Sequence, residues 1–252
     1  LVIQEGCEIE SLMLDSASNS SRISISEKST IENIFIQDKT TCEEIKIEGK
    51  AKISYIQIQE NSTINSLSIG ESSKIEKLSI GNNSTLKDCT MWGNAHITEC
   101  SIWGGIYIAT FNIRGLSTLG KLEVFNSNIR SLLVTDFSKV ARIITLHSIF
   151  QNITIQESFI GHLKLQLTLL EPTHILFMQS NFGHIDLEDS VMPEFNTFSV
   201  SDCFINRVSF VKFCNYGTVL FMNIMPLDWN MFLNIRKEWL FLFENNDVEK
   251  EI

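Results

Sequence analysis

Apolar residues recur along the first half of the chain with a period of eleven residues. With Ser29 as position 1, nine consecutive units carry an apolar residue at positions 3, 6 and 8. The two clearest units cover residues 62–83 and read STINSLSIGES and SKIEKLSIGNN. Position 7 is polar in every unit except the first, where it is Phe35. Spacing as regular as this indicates a tandem structural repeat.

The order of residues within each unit predicts a strand followed by a corner. Alternation of apolar and polar residues at positions 6 to 8 is typical of a short β-strand with one buried face. Gly, Asn, Asp, Lys and Ser follow at positions 9 to 11, and they favour turns. A helix is excluded, because at about 3.6 residues per turn an eleven-residue repeat would not keep these apolar positions on one stripe. Such units bury their apolar side chains only by stacking on one another.

The second half of the chain shows the length of a full coil. Beyond residue 127 the units shorten to ten or eleven residues, and three similar stretches then follow, SFIGHLKL from Ser158, SNFGHIDL from Ser180 and CFINRVSF from Cys203. Their separations of 22 and 23 residues indicate that one coil contains two units. We therefore predict an all-β fold over residues 1–224, a parallel β-helix of about ten coils. The general preference of parallel crossovers favours right-handed coiling.

The repeat resembles those of β-helical solenoids of the pentapeptide-repeat and bactofilin kind. The stretch STINSLSIGESSKIEKLSIGNN shares their paired inward aliphatic residues, small Ser/Thr corners and Gly/Asn turns, and SNFGHIDL and CFINRVSF are similar to degenerate pentapeptide units. The resemblance covers about residues 7–221 and implies the architecture. It also implies a scaffold, a polymer or a binding surface, and for some pentapeptide proteins a mimic of DNA.

The repeat stops after Phe221, and residues 225–252 predict an α-helix. A proline and an acidic capping residue precede apolar side chains spaced three and four residues apart. A helix here would cap the last coil or begin a further helical region, since a solenoid must cover its exposed end. Apolar residues on more than one side suggest a docking surface for a partner or a second copy. The residues predicted to dock are Trp229, Phe232, Trp239 and Phe243.

Composition and charge narrow the functional classes. The net charge of −10 is spread evenly over the two halves and argues against a nucleic-acid-binding surface of the usual basic kind. No apolar run approaches the roughly 20 residues of a membrane span. Three of the six cysteines, Cys42, Cys89 and Cys100, occupy inward repeat positions, which predicts reduced core thiols and a cytoplasmic protein. The chain begins without an initiator Met, which indicates a fragment or a processed chain.

A search for catalytic motifs returns none. The sequence has no nucleophile elbow, phosphate-binding loop, dinucleotide-binding glycines, zinc-protease helix or CxxC pair. The predicted turns are uniformly short and leave little from which to build a pocket. Trp92 and Trp103, one unit apart, are predicted to shield turns. We therefore predict no catalytic residue, no cofactor, no metal and no enzymatic activity.

One group of polar residues suggests a binding site. His162 and His184 occupy the same outward place in successive coils, Arg207 follows in the next coil, and Arg142 precedes them. Coils stack at about 4.8 Å, so the four side chains are predicted to form a column on an otherwise acidic rod. Because histidine gains charge below about pH 6.5, such a column would bind an anion or an acidic partner more strongly there. The alternative is an exposed polar ladder without function.

Three functional classes remain at this point. The first is a non-catalytic structural or protein-interaction scaffold that binds a protein partner or itself through its C-terminal helix or its coil ends. The second is a DNA-mimicking inhibitor of a nucleic-acid enzyme, which would need aligned carboxylates, whereas the acids here are scattered. The third is a carbohydrate-active enzyme, which would need an acid pair in a groove. The sequence favours the first.

Overall fold

The computed structural model describes most of the chain as β-strands. The described residues are 1–16, 18–166, 169–188, 191–192, 197–211, 214–215, 218–224 and 241–244. Every strand pairing among them is parallel, and they contain no helix. No helix in this part of the chain is therefore long and apolar enough to cross a membrane.

The described residues form 24 strands, mostly seven or eight residues long. In chain order they are β1 (Val2–Ile3), β2 (Glu8–Leu14), β3 (Asn19–Ile25), β4 (Thr30–Ile36), β5 (Thr41–Ile47), β6 (Lys52–Ile58), β7 (Thr63–Ile69), β8 (Lys74–Ile80), β9 (Thr85–Met91), β10 (His96–Trp103), β11 (Tyr107–Ile113), β12 (Thr118–Phe125), β13 (Asn128–Val134), β14 (Lys139–Leu146), β15 (Ile149–Gln156), β16 (Phe159–Gln166), β17 (Leu169–Met178), β18 (Asn181–Glu188), β19 (Val191–Met192), β20 (Thr197–Ser201), β21 (Phe204–Val211), β22 (Cys214–Asn215), β23 (Thr218–Met222) and β24 (Phe241–Glu244).

Successive strands alternate between two sheets. The first sheet has 14 strands in the order β1-β3-β5-β7-β9-β11-β13-β15-β17-β20-β23-β24, with β19 beside β17 and β22 beside β19. The second sheet has ten strands, β2-β4-β6-β8-β10-β12-β14-β16-β18-β21. One coil thus consists of one strand from each sheet, which confirms the predicted parallel β-solenoid with repeats of about 22 residues.

The solenoid has about nine turns, whereas the sequence predicted about ten. The prediction assumed unbroken coils through Phe221. After Glu188, however, the first sheet contains the two-residue strands β19 and β22. The coil therefore loses its regular form before the apolar pattern ends.

The core lies between the two sheets and is continuous along the rod. Residues at positions 3, 6 and 8 point inward, as predicted from the alternation, and in β7 these are Ile64, Leu67 and Ile69, all fully buried. Neighbouring coils place equivalent residues in direct register, so Ile64 lies opposite Leu86 of β9. Stacking of like on like lets each coil bury its apolar face against the next.

The corners explain why the repeat changes from eleven to ten residues. In the longer corners, two consecutive residues have positive φ, as do Asp38 (55°) and Lys39 (59°). The Thr40 N–H donates to the Gln37 carbonyl at 3.2 Å, which closes a type I′ turn. The shorter corners use one such residue, for example Asn126 with φ of 47°. Removing one left-handed residue shortens the unit by one.

Small polar residues at position 1 are buried inside the corners. The Ser62 hydroxyl donates to the Gln59 carbonyl at 2.7 Å, and in a shorter corner the Ser148 hydroxyl donates to the Leu146 carbonyl at 3.0 Å. The Ser62 bond satisfies a carbonyl within the turn, and the Ser148 bond adds a second donor to the Leu146 carbonyl, which also accepts from the Asn126 N–H at 3.0 Å. The buried corner residues of this kind include Ser29, Thr40, Ser62, Ser73, Ser84, Ser117, Ser127, Ser138, Ser148, Ser158 and Ser180.

The expected C-terminal helix falls largely outside the described residues. Within residues 225–252, only Phe241–Glu244 are described, and they form β24. This strand pairs in parallel with β23 and extends the first sheet. The helix prediction is therefore wrong for these four residues, because a run of large apolar residues suits a strand as well as a helix.

Candidate functional site

The four polar residues singled out from the sequence lie in one straight column on the second sheet. Arg142 of β14 is in register with His162 of β16, His162 with His184 of β18, and His184 with Arg207 of β21. Each is the fifth residue of its unit. At about 4.8 Å per coil, the four side chains span roughly 14 Å of the rod surface.

A fifth basic residue, Lys121 of β12, extends the column and was missed from the sequence. It is in register with Arg142. Lys121 is the fifth residue of the last of the nine regular units, which was the available signal. The shorter corner at Asn126 hid the alignment by placing Lys121 and Arg142 only 21 positions apart. We call Lys121, Arg142, His162, His184 and Arg207 the basic column.

Acidic residues in the neighbouring column offset part of this charge. The Nε2 atom of His162 lies 2.7 Å from Oδ2 of Asp186, and Nζ of Lys121 lies 2.8 Å from Oε1 of Glu123. The His184 ring packs edge-on against His162 with centroids 5.8 Å apart. In contrast to Lys121 and His162, the two arginines of the column form no ion pair with another described residue.

Glycines remove side chains from one flank of the basic column. Position 4, directly before the column, is glycine in three of the five coils (Gly120, Gly161 and Gly183), Ala141 in a fourth and Asn206 in the fifth. A Cβ atom on Gly161 would overlap the carbonyl oxygen of Ala141, and a Cβ on Gly183 would overlap that of Gly161. Strands β2, β4 and β8 carry glutamates at this position. Glycine at these positions therefore lets the backbones of successive coils approach closely beside the basic column.

The two tryptophans lie over corners, as predicted. The Trp92 ring covers Gly70 in the preceding coil, where a Cβ atom would overlap the ring, and its Nε1 donates to the Ser68 hydroxyl at 3.1 Å. Trp103 covers Gly81 in the same way. Glycine at these corners is explained by the close approach of the rings.

The structure describes one of the four C-terminal residues that were predicted to dock a partner. Trp229, Phe232 and Trp239 lie outside the described residues, and Phe243 lies in β24. Over the described part of the chain, no three His, Cys, Asp or Glu side chains are grouped so that they would hold a metal ion.

The core cysteines are not arranged as nucleophiles. Burial raises the pKa of the Cys89 thiol to about 12 and that of Cys203 to about 11, and it also raises the pKa of Cys42 and Cys100. Because only the thiolate attacks electrophiles, these groups are inert at neutral pH. They serve as small apolar side chains of the core, whereas Cys7, the fifth cysteine whose side chain the structure describes, is exposed.

We expect a thiol reagent such as DTNB at pH 8 to label Cys7 rapidly and Cys42, Cys89, Cys100 and Cys203 only after unfolding. Folding raises the pKa of the Cys89 thiol from the ordinary 9.0 to about 12. The contribution of the protonated thiol to the free energy of unfolding is therefore fully present below pH 9 and is lost as the pH rises toward 12. Mass spectrometry of the labelled native protein checks this. Rapid native labelling of Cys89 or Cys100 would contradict the burial.

Comparison with protein-family models, curated proteins and solved structures found no match for this chain. The site is therefore interpreted from its own geometry.

Proposed function

We propose that this protein is a non-catalytic structural or protein-interaction scaffold. One observation carries the proposal: outward residues of successive coils are held in direct register by the parallel strand pairing. From Ile3 to Glu188, the connections between consecutive strands are only two to four residues long. Such a rod offers long rows of side chains rather than a pocket, and long rows suit contact with a macromolecule.

The basic column supports a partner of opposite charge. Arg142 and Arg207 are exposed, two histidines lie between them, and protonation in mild acid is a general property of histidine side chains. The charged groups around the histidines are Asp186, which contacts His162, Lys164, which is in register with Asp186, and the two arginines in register with the histidines. Binding of an acidic partner should therefore strengthen in mild acid, and His162→Ala with His184→Ala should remove that strengthening.

Several finer features complete the proposal. Similarity to pentapeptide-repeat and bactofilin solenoids favours a scaffold, and the preference of parallel crossovers favours a right-handed coil. A helix formed by residues within 225–252, using Trp229, Phe232 and Trp239, would dock a partner or a second copy. Five cysteines are free thiols, which favours the cytoplasm: Cys7, Cys42, Cys89, Cys100 and Cys203.

Two mass measurements test the scaffold proposal. Light scattering of the isolated chain reports self-association, and affinity purification after cross-linking in its source cells reports partners. We expect a defined species heavier than the 28.7 kDa monomer in at least one of them. A chain that remains a 28.7 kDa monomer in both would contradict the proposal.

A further inference from the structure

Four large apolar side chains are exposed along one edge of the rod. Leu116 and Phe137 occupy the corners before β12 and β14 and are 57% and 65% exposed. Phe159 and Phe204 begin β16 and β21, are 46% and 47% exposed, and share one register column with Asn181 between them. We call these four residues the apolar ridge. It follows the corner from the first sheet to the second over five coils.

The backbone conformation at Leu116 and Phe137 does not favour large apolar side chains. Leu116 has a φ of 63° and Phe137 a φ of 62°, a left-handed conformation that large side chains rarely adopt. Equivalent corners use Lys28, Ser72 and Asn94. Exposed apolar residues in an unfavourable conformation are best explained by a contact that they make with another molecule.

The apolar ridge and the basic column lie side by side in the same coils. In β16, Phe159 is three residues before His162, and in β21, Phe204 is three residues before Arg207. The position directly before the column is Gly161 in β16 and Gly183 in β18. The ridge and the column together form one surface, apolar on one side and basic on the other, which we call the docking strip.

We propose that the docking strip binds an extended acidic segment of a partner protein that also carries large apolar side chains. The proposal rests on the scaffold function above and specifies the chemistry of the partner. From Lys121 to Arg207 the strip covers four coil intervals, about 19 Å, which an extended peptide of about six residues spans at about 3.3 Å per residue. Its carboxylates would pair with Arg142 and Arg207, and its apolar side chains would cover Phe159 and Phe204.

Charge distribution favours a polypeptide over a nucleic acid strand. Glu123, Asp186 and Glu188 lie in the second sheet beside the basic column, and the whole chain carries a charge of −10. A continuous phosphate backbone along the column would meet Glu123 in β12 and Asp186 in β18, and like charges at such distances repel. A peptide places a few carboxylates where the arginines are and leaves neutral residues opposite the acids.

Selection from a random 12-residue peptide library displayed on phage tests the proposal with the folded chain as bait. We expect the selected peptides to be enriched in Asp or Glu together with Leu, Phe or Trp. Binding of a selected peptide, measured by fluorescence anisotropy, should weaken about tenfold with Arg142→Glu and Arg207→Glu combined. Phe159→Ser with Phe204→Ser should weaken it similarly, and added salt should weaken the wild-type complex.

Matched control variants lie on the first sheet. Lys87→Glu with Arg130→Glu changes the same charge at exposed positions, and Tyr107→Ser removes an exposed aromatic ring. These variants should bind the peptide as the wild type does, and circular dichroism should show that all variants are folded.

No enrichment, enrichment of basic peptides, equal loss in the control variants, or tighter binding of a dT12 oligonucleotide would overturn the proposal. A partner recovered by cross-linking that binds the docking-strip variants normally would also overturn it, while the scaffold function would stand.

Discussion

Phe111→Ala should lower the free energy of unfolding by about 3–5 kcal/mol, because truncating a buried phenylalanine loses apolar burial and leaves a cavity. Phe111 is 0% exposed and stands in the centre of the rod, in register with Cys89 on one side and Leu132 on the other. Neighbouring coils cannot close the gap without breaking their own register. Urea unfolding followed by circular dichroism measures the loss.

Phe137→Ala is the matched control for this truncation. Its side chain is 65% exposed on the apolar ridge, so the expected change in the free energy of unfolding is within about 0.5 kcal/mol. Equal losses from Phe111→Ala and Phe137→Ala would contradict the assignment of inward and outward positions.

Gly161→Ala should lower the free energy of unfolding by about 1–3 kcal/mol, the usual range for forcing an extra carbon into a packed site. The new Cβ would overlap the carbonyl oxygen of Ala141 in the preceding coil. Because that oxygen belongs to the backbone, relief requires a shift between coils rather than a rotation of a side chain. The effect is therefore expected on stability and, through the altered spacing of Arg142 and His162, on peptide binding.

Ser54→Ala tests the same position in a coil without this close approach. Ser54 is the exposed fourth residue of its unit in β6 and already carries a Cβ atom. We expect a change in the free energy of unfolding within about 0.5 kcal/mol. If Gly161→Ala were as neutral as Ser54→Ala, the glycines would not be explained by contact between coils.

The inward positions could be predicted from the sequence because the alternation repeats without interruption for nine units. Burial of Ile64, Leu67 and Ile69 follows from that pattern, and so does the stacking of equivalent residues. Register of the basic column followed from the near-constant coil length. A regular period predicts burial and register because each coil repeats the geometry of the coil before it.

Other features depend on backbone conformation, which the pattern does not contain. Whether a corner uses one left-handed residue, as at Asn126, or two, as at Gly115 and Leu116, decides where the following side chains point. The alignment of Lys121 with Arg142 depends on the corner at Asn126, and the exposure of Phe137 depends on its own corner with Asp136; both were missed. Strand β24 was missed because three large apolar residues in succession fit a strand and a helix equally well.

The distance between two spin labels on the second sheet tests the central claim most directly, that outward residues of successive coils form one straight column. The labels are placed at Lys77→Cys and Arg207→Cys, with Cys7 and Cys214 replaced by serine. Six coil intervals separate the two sites, through Glu99, Lys121, Arg142, His162 and His184. Pulsed electron paramagnetic resonance should give one narrow distribution near about 29 Å. A broad distribution, or a mean near the roughly 60 Å expected of a flexible chain of this length, would contradict the account.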